Sequence, residues 1–141
     1  MFDVLDIGAS GLQAQRTRMD TIAANIANAN TTRNAAGQNV PYRRRFAVFA
    51  PAQPARAGGS IADATRPGVR VQEIRLDPSP FQRRYEPGHP DADADGYVLH
   101  PNIDLAVEYV NALEASRAYE ANVTMMEVTK SMMNASLRLI A

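Results

Sequence analysis

Between Gly88 and Asn102 the chain reads GHPDADADGYVLHPN. This places carboxylates at Asp91, Asp93 and Asp95, a glycine at Gly96, and histidines at His89 and His100. Aspartates at alternate positions followed by glycine are how a calcium-binding EF-hand loop begins, with ligands at loop positions 1, 3, 5, 7, 9 and 12. Position 12 falls on Asn102, whose amide cannot supply the bidentate carboxylate that closes such a site. Pro87, Pro90 and Pro101 also bar the regular helices that flank one. The loop therefore reads as an acidic turn that caps its own backbone and pairs with arginines, and no metal is assigned to it. His89 and His100 stand eleven residues apart, each beside a proline, and a zinc site would need at least one more well-placed ligand held on a rigid scaffold.

The run Tyr42-Arg43-Arg44-Arg45-Phe46 mixes cations with rings, a combination suited to phosphates and stacked bases. Yet 15 basic side chains balance 15 acidic ones, so no long-range field steers the chain to nucleic acid. The run reads as a strand with a basic face. Ser79, Ser116 and Ser131 lack a glycine elbow or a neighbouring histidine, and no glycine loop is present to cradle a phosphate. The sequence assigns no catalytic, cofactor-binding or metal-ligating residue, and the expectation is a protein that is not an enzyme. Zero cysteines exclude disulfides and thiolate metal sites.

Long helices are predicted on either side of this chemistry. From Asp3 to about Asn30, Leu5, Leu12, Met19 and Ile26 recur every seven residues, widened by Ile22 and Ala29. Asp3 is placed to cap this helix, and NIANANTT to end it. Gly8 and Gly11 each cost roughly 1 kcal/mol relative to alanine, so this end is predicted to fray unless packed. From Asn102 to Ala141, Leu105, Ala112, Tyr119, Met126, Met133 and Ile140 form one seven-residue row, and Tyr109, Ser116, Val123, Lys130 and Leu137 a second. Asn102 is placed to cap it.

Residues 33–101 hold every proline. VPYRRRFAVF and GVRVQEIRL read as two strands of a hairpin, with a bulge near Gln72. Residues 51–67 have the Ala/Pro/Gly composition of a mobile linker.

At 1.5 Å per residue the second helix would run about 58 Å and the first about 40 Å. A compact domain of this length has a radius of gyration of only about 14 Å. The predicted fold is therefore mainly α with a small β element. Long N- and C-terminal helices (1–32 and 102–141) form an elongated, coiled-coil-like antiparallel pair, from which the β-hairpin and loops of 33–101 project. The longer helix overhangs by roughly a third, leaving apolar rows, Met125, Met126, Met132 and Met133 among them, for partner chains to cover.

Candidate assembly residues follow from this. They are Leu12, Met19, Ile22 and Ile26 on the first helix, and Tyr119, Val123, Met126, Lys130, Met133 and Leu137 on the second. The amides of Asn25, Asn28 and Asn30 could fix register or merely end the helix, while Arg117, Glu120 and Asn122 flank the seam, where charge selects partners. Pro90, Asp91, Asp93, Gly96, Tyr97, Pro101 and Asn102 are read as a stiff joint between the β unit and the second helix. The N-terminus MFDVLDIGASG lacks the basic region and apolar core of a signal peptide, so work outside the cytoplasm would require export without cleavage.

ANIANANTT (Ala24 to Thr32) resembles the N-terminal signature of bacterial flagellar rod, hook and hook–filament junction proteins. Within that axial-protein group three further stretches are similar to the proximal-rod branch: VPYRRR, DPSPF…YEPGHPDADADGYVLHPN and NALEASRAYEANVTMMEVTKSMMNASLRL. The resemblance covers most of the chain apart from 51–67. It implies a structural subunit of the proximal rod in the flagellar basal body. Such a subunit is exported by the flagellar type III apparatus without signal cleavage and polymerises in the periplasm into the drive shaft that carries motor torque to the hook. It implies terminal helices forming an inner coiled-coil layer. The implied partners are further copies of the chain, the rod proteins FlgB, FlgF and FlgG, the adaptor FliE and the export apparatus. No cofactor, nucleic acid or membrane insertion is implied.

Overall fold

The computed structural model describes residues 2–52 and 68–140. Most of the expected linker, 53–67, lies outside the described residues. The elements are α1 (Phe2–Ala27), β1 (Arg45–Pro51), β2 (Val69–Leu76), β3 (Gln82–Tyr85), β4 (Tyr97–His100) and α2 (Leu105–Ile140). The architecture is mainly α with two small antiparallel sheets, β1–β2 and β3–β4.

Both helices have ends set by local side chains. After Ala27, Asn28 Nδ2 donates back to the Ala24 carbonyl at 2.8 Å and the Thr31 N–H donates to the Asn28 carbonyl at 3.1 Å, which closes α1 in a turn. Because α1 begins at Phe2, Asp3 lies inside its first turn and is not the cap. The cap of α2 is Asp104, whose Oδ1 accepts the N–H groups of Ala106 and Val107 at 2.9 and 3.4 Å. The sequence assigned that cap to Asn102. Asn102 turns inward instead, accepting the Arg44 N–H at 2.9 Å and donating to the carbonyls of Asp77 and Ser79 at 3.4 and 3.2 Å. Either residue has capping chemistry, but Asp104 adds a negative charge favourable to a helix start.

The helices lie antiparallel: Gly8 faces Met126, Gly11 faces Asn122, Arg18 faces Glu114 and Asn25 faces Glu108. A Cβ at Gly8 would sit 2.8 Å from Met126 Cγ, and one at Gly11 would sit 3.0 Å from Asn122 Nδ2. The two glycines thus let the helices approach closely, which offsets part of their poor helix propensity. Apart from Ile22, the side chains buried along the pair are short or polar: Ala14, Thr21, Asn25, Glu108 and Ala115. Beyond Met132 α2 runs past the start of α1, an overhang of about a quarter of its length rather than the expected third, α2 itself being shorter than expected because it begins at Leu105 and not Asn102.

The β1–β2 ribbon packs on α1, and Ser10 Oγ accepts the Val69 N–H at 3.1 Å. Val48 pairs with Glu73 but Phe49 with Val71, so Gln72 is the extra residue of a bulge, where the alternation of GVRVQEIRL changes face. The β3–β4 hairpin has no counterpart in the expected elements. QRRY is charged and wholly exposed, and it carries no strand pattern. Val98 in β4 and Ile103 after it are buried.

Candidate assembly site

Three distant segments meet at one carboxylate. Glu108, in the first turn of α2, is fully buried. Its Oε1 accepts Arg44 Nε at 2.8 Å and its Oε2 accepts Asn25 Nδ2 at 3.0 Å. Asn25, also fully buried, pairs with the backbone of Arg45 as a neighbouring strand would. Its Nδ2 donates to the Arg45 carbonyl at 2.7 Å and its Oδ1 accepts the Arg45 N–H at 3.0 Å. The Tyr42 hydroxyl donates to the same oxygen at 3.4 Å. Arg44 also reaches Asp77 Oδ2 at 3.2 Å. Burial is the largest influence on Arg44 and opposes its charge, but the carboxylates of Glu108 and Asp77 together outweigh it and raise its pKa. Asp77 is held below the usual carboxylate range, first by the hydroxyl and N–H of Ser79 and then by Arg44. Breaking a buried, hydrogen-bonded ion pair on one side typically costs about 3–5 kcal/mol. That exceeds the roughly 1.5–3 kcal/mol gained by burying Ile22, the largest aliphatic side chain buried between the helices.

The acidic loop is the turn that joins β3 to β4. Asp91 is buried and bonded to the segment after α1: Thr32 Oγ1 and Arg33 Nε donate to it at 2.7 and 2.6 Å, and Asn39 Nδ2 donates to its carbonyl at 3.1 Å. Arg33, then Thr32, holds its carboxyl below the ordinary range. Asp93 Oδ1 accepts the N–H groups of Asp95 and Tyr97, and Gly96 closes the turn at φ +81°. Asp91 and Asp93 therefore serve different partners, and among the described residues no group of three or more His, Asp or Glu side chains is placed to share an ion. His89 Nδ1 accepts the Asp91 N–H at 3.1 Å, while His100 is buried, with its Nε2 3.5 Å from Glu86. Tyr97 stacks edge-on against Tyr85 across the hairpin and does not anchor it to the helices. Asp91 thus ties the hairpin to the segment after α1, Asp93, Gly96 and Tyr97 shape the hairpin itself beside Pro90, and Pro101 and Asn102 belong to the short connection between β4 and α2.

The Tyr42–Phe46 run is not the strand expected, since β1 begins only at Arg45, and its arginines bind within the molecule. Arg43 donates to the carbonyls of Asp77 and Ser79 and covers the Phe81 ring at 4.2 Å, Arg44 makes the buried pair, and Arg45 lies over Tyr42 at 5.3 Å.

Of the residues assigned to assembly, Ile22 and Asn25 are buried within the molecule. Leu12, Met19, Ile26, Asn28, Tyr119, Asn122, Val123, Met126 and Met133 are half-buried or lie at the rim of the helix pair. Asn30, Arg117, Glu120, Lys130 and Leu137 lie at or near the surface. Asn122 and Met126 face α1 at its glycines. A further row, of which the sequence marked only Met125 and Met132, adds Val107, Val110 and Val128. In chain order Val107, Val110, Met125, Val128 and Met132 are 50, 56, 59, 53 and 65 % exposed. Val107 and Met125 are eighteen residues apart, five full turns, so the row runs along one side of α2. The seam therefore takes small and polar side chains and the outside takes large aliphatic ones, the reverse of a helix folded for itself. Glu108, Ala115 and Asn122, spaced by seven, are the signal that could have marked the seam. Arg44, Asp77, Thr32 and Arg33 carry no local signal, because their partners lie far away in sequence. No helix among the described residues is long and apolar enough to cross a membrane.

Residues 5–33 match the family model described as flagella basal body rod protein, and residues 94–139 the one described as flagellar basal body rod FlgEFG protein C-terminal. The chain is 41% identical to the flagellar basal-body rod protein FlgC of Borreliella burgdorferi, over 99% of this chain and 97% of the relative. It is 40% identical to FlgC of Bacillus subtilis (98% and 97%) and 40% identical to FlgC of Salmonella typhimurium (99% and 97%).

Proposed function

Because this chain belongs to the FlgC family of flagellar basal-body rod proteins, and is a structural subunit of the rod, we propose that it enters the rod by burying the outer face of α2 against neighbouring rod subunits. The observation that carries this is the exposed apolar row: Val107, Val110, Met125, Val128 and Met132 stand in water, while Ala14, Thr21, Ile22, Asn25, Glu108 and Ala115 are buried along the helix pair. Neighbouring helices complete a coiled-coil layer through this row. Leu12, Met19, Ile26, Tyr119, Val123 and Met133, the exposed Leu137, and the flanking Arg117, Glu120 and Lys130 extend the contact. The neighbours are further copies and the homologous subunits FlgB, FlgF and FlgG, with FliE at the base. The chain reaches the periplasm through the flagellar type III apparatus without a cleaved signal. In the finished rod it carries torque, a mechanical role that needs no catalytic group.

Val128→Asp tests this. Exposed positions tolerate substitution within about 0.5 kcal/mol, so the purified variant should melt like the parent. A carboxylate buried unpaired in a rod interface costs several kcal/mol, so cells relying on the variant should secrete the subunit but lack a complete rod and fail to swim. Normal swimming would show that the outer row is not an interface.

A further inference from the structure

We infer that Glu108 is a latch that makes docking of the two chain ends on the central unit all-or-none, so that the helix pair exists only when Arg44 and Asn25 are both in place. This rests on the reading of the pair as the assembling part. Each of three segments brings one group: Asn25 from α1, Arg44 from the stretch leading into β1, and Glu108 from α2. Without α1, Glu108 and Arg44 form an ordinary solvated pair of little consequence. Without Arg44, docking α1 drives a carboxylate out of water with only an amide to meet it, which opposes the docking. The contact becomes favourable only when all three meet.

The other charged groups near Glu108 do not replace Arg44. Arg18 of α1 lines the same cavity of about 350 Å³ but is bonded to Glu114, Arg45 lies over Tyr42, and Asp77 is bonded through Arg44 itself. The thin apolar seam leaves this polar contact in control.

A double-mutant cycle of Arg44→Ala and Glu108→Gln in the full chain tests the latch, read by amide exchange in α1 and by rod formation in cells. Arg44→Ala alone should speed exchange across α1 roughly tenfold or more and abolish rods, because it strands the carboxylate. In the Glu108→Gln background the same change should do little, because a neutral amide needs no cation, and rods should return. An equal loss from Arg44→Ala in both backgrounds would overturn the latch and leave Arg44 a packing residue. Should α1 be unprotected in the free parent chain, the rod readout of the same cycle decides alone. Failure of the outer-face reading would show separately, as assembly by Val128→Asp.

Discussion

Glu108 and Asp91 are both carboxylates taken out of water, each met by one arginine and neutral donors, yet they hold different things. Glu108 joins both helices to the start of the ribbon, and its Arg44 is itself shielded, at 22% side-chain exposure. Asp91 ties one loop to the turn after α1, and its Arg33 is 51% exposed. The Arg33 cation is more than twice as exposed as that of Arg44. The strength of a buried carboxylate as a connector is thus set by the burial of its partner, because a solvated guanidinium interacts through a high dielectric and salt screens it. The helix pair is fastened by a dry contact and the β3–β4 hairpin by a wet one.

The largest expected effect that sharpens this contrast is Asn25→Ala. It removes an amide that satisfies the N–H and C=O of Arg45 and one oxygen of Glu108, in a place water does not reach. A loss of about 2–4 kcal/mol is expected in urea unfolding followed by helix signal. A loss below about 1 kcal/mol would mean water replaces the amide, and the dry contact would not be dry.

Acidification probes the wet side. Asp91 and Asp77 have folded-state pKa values below their ordinary ones, so they contribute stability above the usual carboxylate range and lose it as pH falls through the lowered values. Melting temperature should therefore hold down to about pH 4 and fall below it. Asp91→Asn should cost less than Asn25→Ala at neutral pH and should flatten part of that acid limb. An acid limb unchanged in Asp91→Asn would remove Asp91 from the account.

Much of this was legible in the sequence, and the misreadings share one cause. Both long helices, the β1–β2 hairpin and the bulge at Gln72 could be read because periodicity and alternation are local. The heptad rule marked Tyr119, Val123, Met126 and Leu137, of which Met126 faces Gly8, Tyr119 and Val123 are half-buried and Leu137 is exposed. It cannot see that Gly8 and Gly11 draw the helices close enough to prefer Ala115 and Asn122. The β3–β4 hairpin was invisible because its strands pair through backbone while the side chains of β3 are charged. Of the two polar contacts, Asn25 was noticed for its type and Asp91 for its spacing. Their partners Glu108, Arg44, Thr32 and Arg33 emerge only when residues tens of positions apart are folded together. Two-body electrostatics across a fold leaves no periodic trace.

The smallest effect is also the most exposed to refutation. Removing Arg33 with Arg33→Ala deletes the cation of the wet contact and leaves the rest standing. Thr32 still donates to Asp91 at 2.7 Å, Asn39 still holds its carbonyl, and His89 still accepts its N–H. Asp91 would keep neutral hydrogen bonds on a face that water can reach once the guanidinium is gone, so its charge is not stranded as that of Glu108 would be. At physiological salt the melting temperature of Arg33→Ala should match the parent, and at low salt it should fall slightly, because only there does the unscreened charge act over distance. If Arg33→Ala instead damaged the chain as much as Asn25→Ala, partner exposure would not be what separates the two carboxylates. The hairpin would then be fastened as firmly as the helices.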